Sequence, residues 1–391
     1  MRIAIISPGR LPVPAVKGGA VESLIDTFAA MAQADSNAPQ VDIFSVNDSI
    51  DAVREFSDNH IRYYQMPCTD RPESFGLRIR RRFRPEAPYQ EFIRFFCGYL
   101  KREEYDAVII ENRPVFVAAA ARATRAGIHL HLHNENLFAL RHYGNLLPKR
   151  CQSIITVSRY IKDVVDRALP AAHTVVLHNG IPAKSFARIT EPVKKEEIRK
   201  KYGIDRDAFV ICYTGRLCRE KGVLELVRAF SLLNEEKNMV LVIIGSAWFG
   251  TDVSDPYVEK VKAEVRHCRN RIVFTGYLDH AAVAEIEGIA DVAVLPSIWD
   301  DPLPLAVLEA MASGLPVITT HAGGIPEMCT PDTGFLLERD ERLSDNIAGR
   351  LVTLKNDPLL CAEMGQKARK RVEDYFSAGQ YYRQFMQIIK Q

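Results

Sequence analysis

The chain has no apolar run near the roughly 18 residues that a membrane-spanning helix needs, although 47% of its 391 residues are hydrophobic. Its apolar content is divided into short pieces. The first, Met1-Arg2-Ile3-Ala4-Ile5-Ile6-Ser7-Pro8, is too short for a signal peptide and reads as a buried strand. The eight cysteines form no Cys-x-x-Cys pair, and none has a histidine at zinc-ligand spacing. That argues against a disulfide scaffold or zinc finger, and predicts free thiols in a reducing compartment. No Gly-x-Gly-x-x-Gly follows the first strand, which disfavours a dinucleotide oxidoreductase. A large charge excess is also missing: 51 Lys+Arg against 49 Asp+Glu leave +2. Nucleic-acid binders are usually far more basic, so no nucleic-acid partner is expected. Repeats and low-complexity segments are absent. A soluble cytoplasmic protein, or one resting on the cytoplasmic face of a membrane, is the expectation.

What is present is an alternation of short apolar runs and helical patterns. Strands are expected at 3–7, 41–46, 61–66, 107–110, 128–133, 154–157, 174–177, 209–214, 239–244, 272–275, 291–295, 316–320 and 334–337. Helices such as 21–33, 223–234, 281–289 and 305–313 lie between them. Strands buried on both faces and joined by helices make parallel sheets, so the fold class is α/β. The charged stretch Glu191-Pro192-Val193-Lys194-Lys195-Glu196-Glu197 interrupts the alternation, which restarts at 209. The reading is two doubly wound, Rossmann-like domains facing across a cleft, 1–187 and 193–370. An aromatic C-terminal helix within 371–391 is expected to return to the first domain. Ligands of such domains bind beyond the C-terminal ends of the strands, so the residues there carry the chemistry.

In the first domain, Lys17-Gly18-Gly19 opens into a helix. Paired glycines allow close backbone approach to a ligand and also suit a flexible connection. The strand at 128–133 carries His129, His131 and His133 on one face. Only His133 stands at the strand's end. The three are read as too spread along it for one metal ion, and His129 and His131 as interior or edge residues. In the second domain, the strand at 209–214 runs into Gly215-Arg216-Leu217-Cys218-Arg219-Glu220-Lys221-Gly222 and a helix. Cations before a helix N-terminus oppose its dipole, and a bound diphosphate would account for Arg216 and Lys221. Further on, Asp301-Pro302-Leu303-Pro304-Leu305 leads to Glu309, a carboxylate among Val307, Leu308, Ala310 and Met311 that needs a partner if buried. Gly323-Gly324 forms another glycine loop. Asp205-Arg206-Asp207 has the outline of a metal-binding Asp-x-Asp, but it precedes a strand and reads as a solvated turn. No metal and no resident cofactor are expected.

These motifs together resemble the retaining glycosyltransferase family 4, with the GT-B fold. Asp301 to Glu309 followed by Ala310-Met311-Ala312-Ser313-Gly314-Leu315-Pro316-Val317 is similar to the family's Glu-x7-Glu segment and its Ala-Met-Ala continuation. Arg216 and Lys221 match its Gly-Arg-x4-Lys-Gly, Lys17-Gly18-Gly19 its glycine loop, and His133 its first-domain histidine. The resemblance implies retaining, metal-independent transfer of a hexose-type sugar from a nucleotide diphosphate sugar, UDP-linked in preference to GDP-linked. The acceptor would be a glycan or lipid-linked molecule of cell-surface polysaccharide biosynthesis. It implies that Arg216 and Lys221 neutralise the departing diphosphate, that Glu309 holds the ribose and that Asp301 holds the sugar hydroxyls. Gly18, Gly19, Leu303, Pro304 and Leu305 would border the donor, and His133 the sugar and acceptor. Two departures stand out: Asp301 replaces the family's first Glu, and Pro304, without an N–H, replaces a glycine. The competing readings are a sugar-nucleotide epimerase on the same fold and a non-catalytic nucleotide-sugar-binding subunit.

Charge is unevenly placed. Residues 1–187 hold 24 basic and 19 acidic side chains, +5, and residues 188–391 hold 27 and 30, −3. Much of the excess lies in Arg71 and Arg78, Arg80, Arg81, Arg82 and Arg84, interleaved with Phe75, Leu77, Ile79 and Phe83. Such a segment suits an anionic membrane surface, an acceptor's lipid diphosphate, or a solvated loop.

Overall fold

The short apolar runs form two sheets. The computed structural model describes residues 1–68, 86–135, 140, 142–246 and 255–390. It divides into two units, Met1–Gly180 with Ala378–Gln391, and Ile181–Ser377. In the first unit the strands are β1 (Arg2–Ile6), β2 (Gln40–Asn47), β3 (Arg54–Asp58), β4 (Ile61–Pro67), β5 (Ala107–Glu111), β6 (Gly127–Leu132), β7 (Ser153–Thr156) and β8 (Thr174–Val176). Their order is β3-β4-β2-β1-β5-β6-β7-β8. All neighbours pair in parallel except β3, which runs antiparallel to β4. The central strands β1 and β5 are buried through Ile3–Ile6 and Ala107–Ile110, which explains why their sequences do not alternate. Its helices include α1 (Ala20–Gln33), α2 (Gln90–Arg102), α3 (Pro114–Ala123) and α4 (Arg159–Ala168). Ser158 caps α4 by accepting from the Ile161 N–H at 3.2 Å.

β3 is absent from the sequence reading. Arg-Glu-Phe-Ser-Asp is mostly exposed at the sheet edge, so it carries no run of apolar residues. Its anchor is Phe56, stacked 4.8 Å from the Tyr63 ring on β4.

The second unit holds β9 (Phe209–Thr214), β10 (Met239–Ile244), β11 (Arg271–Gly276), β12 (Val292–Leu295), β13 (Val317–Thr320) and β14 (Gly334–Leu337). Their order is β11-β10-β9-β12-β13-β14, parallel throughout. Helices α5 (Pro192–Lys201), α6 (Val223–Ser231), α7 (Pro256–Val265), α8 (His280–Ile289), α9 (Leu305–Ala312), α10 (Leu343–Asn356) and α11 (Pro358–Tyr375) accompany them. The charged stretch after Glu191 opens α5, with Pro192 at a position where its missing N–H costs nothing. The last helix, α12 (Ala378–Ile389), belongs to the first unit. Phe385 lies 4.8 Å from the Phe28 ring of α1, and the Tyr382 hydroxyl donates to Asp35 at 3.0 Å.

Strand order reverses between β1 and β5 in the first unit and between β9 and β12 in the second. Those switch points open a crevice at the strands' C-terminal ends. The segments after β1, β5, β9 and β12 therefore stand where an α/β sheet takes its ligand. Among the described residues, no helix is long and apolar enough to cross a membrane.

Candidate active site

At the switch point of the second unit, the loop after β9 turns on Gly222, whose φ of 67° suits glycine. A Cβ there would run into the Pro296 carbonyl oxygen. Lys221 thereby sits at the N-terminus of α6 and forms an ion pair with Asp301. Asp301 is buried and also accepts from the Ser297 hydroxyl at 3.1 Å. The two groups given separate ligands in the sequence reading thus meet directly. Arg216 is exposed, and its side chain makes no hydrogen bond or ion pair among the described residues. The glycine loop after β13 buttresses this region: the Gly324 N–H donates to the Asp301 carbonyl at 2.8 Å. Helix α9 starts at Leu305 with Pro304 in the cap position and no side-chain cap, leaving its positive end open. Leu303 is buried and Pro304 and Leu305 are half-buried beside it. Thr214, Lys221, Ser297, Asp301, Pro304 and Val307 border one small recess of about 20 Å³, room for about one water.

Glu309, one turn further along α9, is buried, 3.5 Å from the His280 Nδ1. Burial pushes its carboxyl above the ordinary range, against the pull of His280. The sequence reading omitted its neighbour Glu287. That residue on α8 is wholly buried, accepting from the Thr214 hydroxyl at 3.1 Å and the Ser313 hydroxyl at 3.0 Å. Burial, then the charge of Glu309, pushes it up to about 8. Its signal was the one used for Glu309: a carboxylate inside an apolar run, Ile286-Glu287-Gly288-Ile289.

In the first unit, Gly18 and Gly19 have φ of 74° and 103° and lead into α1. A Cβ on Gly19 would collide with the Glu22 carboxylate. Glu22 is itself buried, and burial pushes it up to about 7. Lys17 is turned to Asp48, 2.5 Å away. At the ends of β5 and β6, His129 and His131 are interior, as read, but the expected spread along the strand holds only for His129. His129 pairs with the Ser153 hydroxyl at 2.8 Å and stands apart. His131 joins His133, the rings 4.1 Å apart, and both reach Glu111 of the neighbouring strand. His133 Nε2 lies 2.7 Å from Glu111 Oε2, and His131 Nδ1 lies 3.1 Å from the same oxygen. Residues two apart share a face, and the register that sets Glu111 opposite His131 brings both rings to one carboxylate.

Glu111 and Asn112 were not recognised from sequence, because their partners come from another strand. Asn112 adopts a φ of 52°, and its Oδ1 accepts from the His133 N–H at 3.2 Å. Burial opposes ionisation of Glu111, but the charge of His131 and bonds from both imidazoles outweigh it, holding Glu111 down to about 2. Burial pushes His133 down to about 4. An ionised Glu111 therefore faces a neutral His133, which places the shared proton on His133 Nε2 and the lone pair on Nδ1. One ligand atom from each of Glu111, His131 and His133 fits within 4.8 Å, a spacing a cation could bridge. The 2.7 Å and 3.1 Å separations are also those of a hydrogen-bonded proton network. The arginines Arg78, Arg80, Arg81, Arg82 and Arg84 lie outside the described residues.

Residues 194–371 match the model of the family "Glycosyl transferases group 1". Over 389 residues the chain is 30% identical to YtcC, a presumed glycosyltransferase of Bacillus subtilis, covering 96% of this chain and 89% of that one. The chain belongs to the group 1 glycosyl transferase family. This glycosyltransferase is also 26% identical over 294 residues to a lipopolysaccharide 1,2-N-acetylglucosaminetransferase of Salmonella typhimurium, covering 74% and 73% of the two chains. Its fold is that of Anabaena HepE, solved in complex with UDP-glucose: TM-score 0.75 at 20% identity, over 100% of this chain and 99% of that one. The transferase therefore has the GT-B fold of two parallel-sheet α/β domains, and the matched segment carries Arg216, Lys221, Asp301 and Glu309.

Proposed function

We propose that the protein transfers a hexose-type sugar from a UDP-sugar, or with GDP as the second choice, to a glycan or lipid-linked acceptor, with retention and without a metal. The observation that carries this reading is Lys221 at the switch point of the second sheet, bordering the same recess as Pro304 at the uncapped start of α9. A departing diphosphate develops negative charge. Lys221, the exposed Arg216 on the same loop and the open helix N–H groups supply the stabilisation that a metal would otherwise give. Asp301 compensates Lys221 in the structure. We assign Lys221 to the arriving diphosphate, which frees the Asp301 carboxylate for sugar hydroxyls. Glu309 is assigned to the ribose: its buried carboxylate lacks a strong cation and gains from hydroxyl donors. His133, with a lone pair on Nδ1, is assigned to the sugar and acceptor side.

In the step itself the bond between the sugar C1 and the diphosphate oxygen breaks. The acceptor oxygen bonds to C1 on the same face, and its proton passes to the departing phosphate oxygen. The Salmonella relative acts on lipopolysaccharide by name and HepE was solved with UDP-glucose, which supports the acceptor class and the preference for UDP. A location on the cytoplasmic face of a membrane follows from that acceptor class. The test is a donor-hydrolysis and transfer screen across nucleotide sugars with the parent and Lys221→Ala. The parent should turn over one UDP-sugar, and Lys221→Ala should lose about 10²- to 10³-fold with an unchanged circular dichroism spectrum. Near-parental turnover by the variant would remove Lys221 from the site.

A further inference from the structure

The opposite ends of the strands in the second sheet carry their own concentration of positive charge. Asp205-Arg206-Asp207, the turn ahead of β9, borders a cavity of about 790 Å³ at the N-terminal ends of β9, β10, β12 and β13. Its six cationic lining residues are Arg188, Arg199, Arg206, Lys237, Lys355 and Arg369, against the acids Asp207 and Asp291. Lys355 and Arg369 have carboxylates of their own, Glu236 at 2.7 Å and Glu373 at 2.9 Å. The other four are poorly compensated.

Arg199 is buried and held in place by main-chain carbonyls: its Nη1 donates to Asp205, Arg206 and Ala208 at 2.8, 3.0 and 2.9 Å. Arg188 likewise donates to the Ala290 carbonyl. Carbonyls orient a guanidinium without neutralising it. The acid nearest both, Asp291, stands 3.9 Å from each, and one of its oxygens already accepts from the Val210 N–H at 2.8 Å. The Nε of Arg199 is buried and has no hydrogen-bond partner among the described residues. Arg206 and Lys237 stand exposed at the rim, and their side chains make no hydrogen bond or ion pair among the described residues. Burial, with the charge of Arg188 adding to it and Asp291 pulling the other way, holds Arg199 and the adjacent Lys195 below their ordinary values. Like charges fixed together and partly desolvated are costly, and an anion relieves that cost.

We propose that this cavity binds a small anion carrying a diphosphate group, at a site separate from the transfer chemistry. The guanidinium charges of Arg188 and Arg199, with the N–H groups not bound to carbonyls, and the two rim cations suit adjacent phosphates, and the volume lies in the range of small-molecule sites. The six residues of β9, at about 3.3 Å each, separate it from Lys221 at the strand's other end. A ligand here touches none of the groups assigned to the donor.

The test is hydrogen–deuterium exchange by mass spectrometry on the full chain titrated with inorganic pyrophosphate, with sodium chloride at matched ionic strength as the control. The parent and the double variant Arg206→Glu, Lys237→Glu are compared. Both substitutions are at exposed positions, and circular dichroism checks the fold. Pyrophosphate should protect peptides covering 199–210, 235–239 and 288–292 of the parent. The double variant should need at least about tenfold more pyrophosphate for the same protection, as loss of charge-assisted bonds predicts. Any protection at 214–222 and 297–309, the loops assigned to the donor, should be the same in both proteins. No protection at the first set of peptides, equal midpoints in the two proteins, or equal protection by sodium chloride would each overturn the proposal.

Discussion

Glu111 in the first unit and Glu287 in the second are both wholly or almost wholly buried glutamates at the edge of a candidate site, yet they are driven in opposite directions. Glu111 is held down to about 2, and Glu287 is pushed up to about 8. Burial raises both. The difference lies in the partners. Glu111 receives two imidazoles at 2.7 and 3.1 Å, whereas Glu287 has two neutral hydroxyls and a second carboxylate, Glu309, for company. The same residue type is therefore an anion paired with histidines in one unit, and in the other an acid held neutral beside Glu309, the carboxylate we propose for the ribose. Burial alone says only that a glutamate is expensive; the neighbours decide its protonation.

The largest effect expected from breaking this contrast comes from Glu111→Gln. The amide keeps the shape but removes the negative charge that fixes the proton on His133 Nε2. Transfer should fall by about 10²-fold, in the range of lost proton-transfer and positioning groups, with kcat falling more than the donor KM rises. Dialysis against a chelator should leave the parental rate unchanged if Glu111, His131 and His133 share protons. A rate abolished by chelator and restored by a divalent cation would make the cluster a metal site and end the comparison.

A smaller effect is expected in the second unit. Glu309→Gln leaves Glu287 without a charged neighbour and removes the acceptor assigned to the ribose. Donor KM should rise about tenfold, the worth of one hydrogen bond to a charged group, with a modest loss in kcat. An unchanged KM would detach Glu309 from donor binding and leave it as packing.

The strands and the motifs were open to a reader of the sequence; the partners of buried charge were not. β9, β10 and β14 announce themselves as apolar runs between turn residues, and their limits match the expected 209–214, 239–244 and 334–337. The charged edge strand β3 announces nothing, because its pairing with β4 satisfies its backbone without burying its side chains. Arg216, Lys221, Asp301 and Glu309 stand out since each is a polar residue at a strand end or in an apolar helix. The ion pair of Lys221 with Asp301 spans 80 positions, and Glu287 meets Thr214 across 73. No local pattern encodes such distances. His131 illustrates the same limit: period two places it on a face, but only Glu111 on the adjacent strand shows what that face is for.

The smallest effect, and the sharpest measure of the contrast, belongs to Glu287→Gln followed as stability against pH. The folded Glu287 titrates at about 8, above its ordinary 4.5. Between those values the folded state holds a proton that the unfolded chain has released. The stability that the neutral acid contributes is therefore complete below the ordinary value and is lost as pH rises through about 8. Glutamine cannot ionise, and it can still bond both Thr214 and Ser313. Parent and variant should melt together near pH 5 and diverge above it, the variant leading by a few °C near pH 8. Transfer at pH 6 should barely change, because the protonated acid and the amide that replaces it present nearly the same surface to Glu309. Parallel melting curves from pH 5 to 8 would mean that Glu287 is ionised throughout. Glu309 would then have to carry the proton, and the neutral partner of this buried pair would be the residue assigned to the ribose.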